Sequence, residues 1–88
     1  MPIISYFFGI VIKMYFDDHN PPHFHAEYQG SEGQFLISDG TCFEGQLPEK
    51  AVRIVSEWAV THVADLARDW DLAQAHQPLE KIPGADND

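Results

Sequence analysis

From Ile10 to Phe16 the chain alternates, with Ile10, Ile12, Met14 and Phe16 on one face and Val11, Lys13 and Tyr15 on the other. That is the period of a half-buried strand. An apolar run at 3–8 precedes it, and Gly9 between the two predicts a bulge or bend joining strand segments. Residues 23–29 alternate again, with Phe24, Ala26 and Tyr28 on one side and His23, His25 and Glu27 on the other. Gly30-Ser31-Glu32-Gly33 reads as a turn, a strand follows near 34–38, and Asp39-Gly40 predicts a hairpin into a last strand near 41–46.

At Pro48 the period changes. Pro48 suits the first turn of a helix and Glu49 complements its positive end. Ala51, Ile54, Val55, Trp58, Ala59, His62, Val63, Leu66, Trp70 and Ala73 then form one apolar stripe. Neither Gly nor Pro interrupts 49–77, yet one helix of that length would run about 42 Å, too long for so small a domain to cover. A break near Val60-Thr61-His62 is expected. Pro78 ends the helical region, and Leu79 to Ile82 return as an extended segment. Strands followed by helix predict an α+β fold: a small antiparallel sheet of about four short strands, with a C-terminal helix or helix pair on one face. Residues 1–83 form the single domain, and 84–88 a frayed acidic tail.

The 88 residues limit burial to roughly two thirds of the unfolded surface, and six Phe, three Tyr and two Trp supply the core. A single cysteine, Cys42, excludes an internal disulfide and any cysteine-pair zinc pattern. The first residues lack the features of a signal peptide, and no apolar run approaches the ~20 residues of a membrane span. A cytoplasmic protein without a membrane segment is expected. The net charge of −9 opposes binding to a phosphate backbone, so nucleic acid is disfavoured as direct ligand and a basic partner protein is favoured.

The chemistry concentrates in Asp17-Asp18-His19-Asn20-Pro21-Pro22-His23-Phe24-His25-Ala26-Glu27, where three of the five histidines fall within seven positions. Two prolines stiffen the loop, so a site built on it loses less entropy on binding. On a strand, His23 and His25 project the same way about 6.6 Å apart and can reach one divalent transition metal. Glu27, Asp17, Asp18 or His19 can complete such a sphere. Asp18 and His19 are the candidate catalytic groups, Asp17, Asp18, His19, Pro21 and Pro22 the candidate binding loop, and His23, His25 and Glu27 the candidate metal ligands. Two alternatives stand beside this. The histidines can line an ordinary strand face, with Asp18 bonding loop amides, or a His–Asp pair can do acid–base work without metal. His62 reads as a core histidine, and Trp58 and Trp70 as helix-to-sheet packing. Glu57, Asp65, Asp69 and Asp71 read as a solvated helix face.

Several of these stretches resemble a short bacterial family known only as domain of unknown function forty-one-sixty. The likeness lies in Met1-Pro2-x-Ile4-Ser5, Gly9-Ile10-x-Ile12-x-Met14-Tyr15, Asp18-His19-x-Pro21-Pro22-His23-Phe24-His25-Ala26, Gly45-x-Leu47-Pro48, Trp58 and Pro78-Leu79-x-Lys81-Ile82. The resemblance runs to about Ile82. It implies a stand-alone cytoplasmic protein encoded beside another small domain, in an arrangement similar to toxin–antitoxin pairs, and it assigns no catalytic residues. An interaction module using the His-rich loop toward a small partner encoded nearby is therefore the first functional expectation, with a homodimer also open. A metal-dependent hydrolase with His23 and His25 as ligands is the alternative.

Overall fold

The computed structural model describes residues 2–86 and builds five strands and two helices. The strands are β1 (Ile3–Phe7), β2 (Ile10–Lys13), β3 (His23–Tyr28), β4 (Ser31–Leu36) and β5 (Cys42–Gly45), followed by helices α1 (Glu49–Thr61) and α2 (Val63–Gln74). All neighbours are antiparallel, in the order β1-β2-β3-β4-β5. This is the α+β layering that strands followed by helix imply, with one strand more than four.

The extra strand comes from Gly9. It is not a bulge. Phe8 and Gly9 have φ of 52° and 77°, and Phe7 pairs with Ile10. Two consecutive left-handed residues make the mirror-image turn whose twist matches a hairpin. The next hairpin repeats the device with Gln29 and Gly30, at φ 49° and 85°, so Ser31–Gly33 belong to β4 rather than to a turn. Asp39-Gly40 turns the chain as expected, within a five-residue connection where Asp39 Oδ1 accepts the Thr41 amide at 2.9 Å. β2 ends at Lys13, and Phe16 leaves the sheet to stack on His76, 6.1 Å between centroids.

Alternation places Phe24, Ala26 and Phe35 in the core with Ile4, Phe7, Ile10, Ile12 and Met14. The helices close that core through Ala51, Val55, Trp58, Ala59, Leu66, Trp70 and Ala73, while Val63 on the expected stripe is 36% exposed. Trp58 is the centre of the joint. Its ring lies 5.0 Å from Phe7 and 5.9 Å from Phe24, edge-to-face with the latter. Pro48 sits just before α1 rather than inside it.

The expected helix break falls at His62, and hydrogen bonding accounts for it. The Thr61 hydroxyl and His62 Nδ1–H both donate to the Trp58 carbonyl, at 2.8 and 2.9 Å. The His62 amide, displaced from that acceptor, bonds Ala59 instead at 3.0 Å. Side chains compete with the helical ladder for one carbonyl and win. His62 also stacks on Trp58 and takes no part in the histidine site.

Beyond α2 the chain returns as an extended strap. The Ile82 amide donates to the Ile4 carbonyl at 2.7 Å, and Ser5 Oγ donates to the Ile82 carbonyl at 2.8 Å, so the strap covers the free edge of β1. Trp58 Nε1–H donates to the Pro83 carbonyl at 2.8 Å. Of the expected tail, Gly84 lies against Phe7, whereas Asn87 and Asp88 fall outside the described residues.

Asp69 corrects the expectation of a solvated acidic face. It is 1% exposed; Oδ1 accepts the Glu80 amide at 2.9 Å, while Oδ2 has no hydrogen-bond partner among the described residues. Strap contact buries this carboxyl, which periodicity within the helix does not foresee. Burial, assisted by the charges of Glu80 and Asp65, pushes its pKa up. The folded state then holds a proton that the unfolded state releases, so stability falls as pH rises from the ordinary carboxylate value through the raised one. Asp69→Asn, which keeps the acceptor, should lose this dependence. Thermal melts at pH 4 and pH 7 should show the variant gaining on the parent at the higher pH; a constant gap contradicts the assignment.

Candidate metal centre

Asp17 to Pro22 arches from β2 to the start of β3, through a cis Asn20–Pro21 bond. The arch is tied down at both ends. Gln74 at the end of α2 donates to the Asp18 carbonyl at 2.9 Å, His76 pairs with Asp17 at 2.8 Å, and the Ile37 amide donates to the Pro22 carbonyl at 3.1 Å. Asp18 is thereby fixed above β3, the central strand, rather than at a sheet edge.

His23 and His25 are 3% and 5% exposed, and their Nε2 atoms lie 3.0 and 3.2 Å from one oxygen, Asp18 Oδ2. The opposite ring nitrogens are already engaged. His23 Nδ1 faces the Pro21 carbonyl at 2.7 Å, and His25 Nδ1 faces Glu32 Oε2 at 2.9 Å. A carbonyl and a carboxylate only accept, so each Nδ1 carries a proton; in the neutral imidazole Nε2 then keeps its lone pair, and facing Asp18 it needs either a second proton or a metal ion. Two lone pairs and an anionic oxygen therefore converge, with all three ligand atoms within 4.8 Å of one another. That meeting is repulsive unless a cation, or added protons, lies between them.

The surroundings fit the first solution. Metal-bound histidines donate the other ring N–H to a carboxylate or backbone carbonyl, which sets tautomer and orientation. Pro21 and Glu32 supply one of each. Two histidines and one carboxylate suit Zn, Fe, Mn or Ni and leave coordination positions open. The open side is a cleft of about 360 Å³ bounded by Tyr15, His19, Gln34, Phe43 and Glu44. The Tyr15 ring packs on His25 at 4.3 Å, and Phe43 and Trp70 flank His23 at 5.7 and 5.5 Å. Burial pushes the Asp18 carboxyl up, but where protons rather than a metal ion lie between the three groups, the hydrogen bond from His25, that from the His19 amide and the charge of both imidazoles outweigh it. The carboxyl is held below its usual range.

Of the residues singled out from the sequence, Asp18, His23 and His25 come together. Glu27 does not: it lies farther along β3 and pairs with Lys13 at 3.3 Å. Asp17 turns to His76, and His19 stands at the cleft mouth, its side chain 94% exposed and Nδ1 3.5 Å from Asp18 Oδ1. Pro21 contributes a carbonyl, and Pro22 an anchor to Ile37. Glu32 was hidden by its placement in a turn. With Gln29-Gly30 as the hairpin tip, His25 pairs with Gln34 and Glu27 with Glu32, so Glu32 is diagonal to His25 on the same face. Two carboxylates directly opposite repel; Glu27 relieves this by leaning to Lys13, Glu32 by leaning to His25.

Among the described residues no helix is long and apolar enough to cross a membrane. No curated protein and no solved structure matches the chain. One family does, over residues 9–71, a span that holds the arch, both histidines and Glu32 but leaves out β1 and the Pro78–Ile82 likeness. On that match the chain belongs to the family described as Domain of unknown function (DUF4160).

Proposed function

We propose that this protein binds one divalent transition metal ion through Asp18 Oδ2, His23 Nε2 and His25 Nε2, and serves as a small metal-dependent hydrolase. The reading is carried by one observation: three atoms able to ligate a metal converge while the second nitrogen of each imidazole is committed elsewhere. A metal held there supplies a bound water of lowered pKa, the ordinary source of a hydrolytic nucleophile at neutral pH. The chain's own part is to hold both imidazoles in one tautomer, present Asp18 from an anchored arch, and screen the site with Tyr15 and Phe43.

Elemental analysis of protein purified without a His-tag or chelator tests this. About one equivalent of metal is expected by the ligand count, and none in a folded His23→Ala/His25→Ala variant. Glu32→Gln, which keeps an acceptor but not the charge, should weaken metal affinity roughly 10–100-fold. Substoichiometric metal, unchanged in the double variant, would sink the proposal.

A second reading is favoured by the charge of −9. We propose that the protein acts in the cytoplasm as one half of a toxin–antitoxin-like pair, its His-rich arch facing a small basic partner encoded nearby. Co-expression with the neighbouring gene product should give a complex on size exclusion. Two independent monomers with no effect on growth would remove it.

A further inference from the structure

The two edges of the sheet are treated differently. The strap covers β1, whereas β5 has β4 on one side and, among the described residues, no strand on the other. β5 also forms a wall of the cleft: Phe43 is 42% exposed and Glu44 beside it is exposed. None of the chain's five Lys and Arg residues lines that cleft. Lys13, across from His25 on β2, is occupied by Glu27 and its side chain is 11% exposed.

The charge around the triad is negative even with an ion in place. Asp18, Glu32 and Glu44 supply three carboxylates against the two charges of a divalent metal. A phosphate or an acidic side chain would meet Glu44 at the entrance, with no Lys or Arg side chain of the cleft to receive it. An ammonium or guanidinium would meet a carboxylate and the aromatic ring of Phe43, two groups that attract cations. An open edge strand is in turn a template for an added strand, main chain to main chain.

We infer that the cleft receives a basic, extended polypeptide segment, which lies along β5 and places a Lys or Arg side chain between Phe43 and Glu44. The inference rests on the cleft being the functional site, as in the reading above, and it names the ligand class. A segment bound there runs its backbone past the open side of the triad. It also accounts for the uneven edges: the covered one is closed to added strands, and the uncovered one is the entrance.

The test is a titration of labelled six-residue peptides into the full chain, both metal-loaded and metal-free, read by fluorescence anisotropy and amide chemical shifts. Arginine-containing peptides should bind, with shifts clustered at 43–45, and Glu44→Lys should weaken them at least tenfold. Glu57→Lys, an equal change of net charge on α1, should cost less than threefold. Equal losses in the two variants would reduce the effect to the overall charge and overturn the proposal. So would glutamate-containing peptides or inorganic phosphate binding as tightly, or shifts confined to the groove between Phe8 and Tyr28. Agmatine binding as tightly as the peptide would overturn the strand component. Metal content is measured separately, so binding by metal-free protein that Glu44→Lys abolishes sustains the inference even where the metal reading fails.

Discussion

Trp58→Ala is expected to remove about 3–5 kcal/mol of folding stability, read as a lower urea midpoint with an unchanged slope. The indole is 3% exposed and touches both layers, with Phe7 and Phe24 below it and His62 stacked on its other side. Its N–H also ties the strap to the core through Pro83. For a chain of this length the whole stability is on the order of 4–13 kcal/mol, so the variant should stand close to unfolding. Trp58→Phe separates the components. It keeps most of the apolar contact and leaves the Pro83 carbonyl without its donor, and it should lose far less, with about 1 kcal/mol from the hydrogen bond. An alanine loss below about 1 kcal/mol would mean that this indole is a surface anchor and does not join the helices to the sheet.

Gly45→Ala should be nearly as severe, about 3 kcal/mol or more, for a different reason. Gly45 has φ of 106°, and a Cβ there would stand 2.3 Å from the Glu32 carbonyl oxygen and 2.6 Å from Gly33 Cα. Both neighbours are backbone and cannot rotate away. A left-handed residue costs roughly 1–2 kcal/mol and overpacking roughly 1–3 kcal/mol. Gly30→Ala provides the comparison, since Gly30 is also left-handed, at φ 85°, but has nothing within 4 Å of its Cβ position. Matched thermal melts should place Gly45→Ala well below Gly30→Ala. Equal melting temperatures would show that the close passage of β5 over β4 does not fix the cleft wall. The same substitution presses on Glu32, whose side chain holds His25, so the site should loosen along with the sheet.

Local pattern carried much of this architecture. The change of period at Pro48 and the shared face of His23 and His25 follow from residues close in sequence, and a break near His62 from the length of the uninterrupted helical stretch. What stayed hidden depends on register and on distant chain. Glu27 shares the histidine face, yet pairing with β2 sets it within reach of Lys13. Asp18 was one of four candidates to complete a metal sphere, and Gln74, 56 residues away, is what pins its backbone. Glu32 emerges only once the hairpin tip is moved back to Gln29-Gly30, a turn without the Asn or Asp that marks such turns most plainly. Asp69 has the spacing of an exposed acid and is buried by a strap that arrives after the helix ends.

The strap on β1 also limits how copies of this domain can associate. Two chains joining β5 to β5 about a two-fold axis would make a continuous ten-stranded sheet whose outer margins are both sealed. Growth would stop at that pair, so the uncapped strand admits one neighbour without opening a route to fibres.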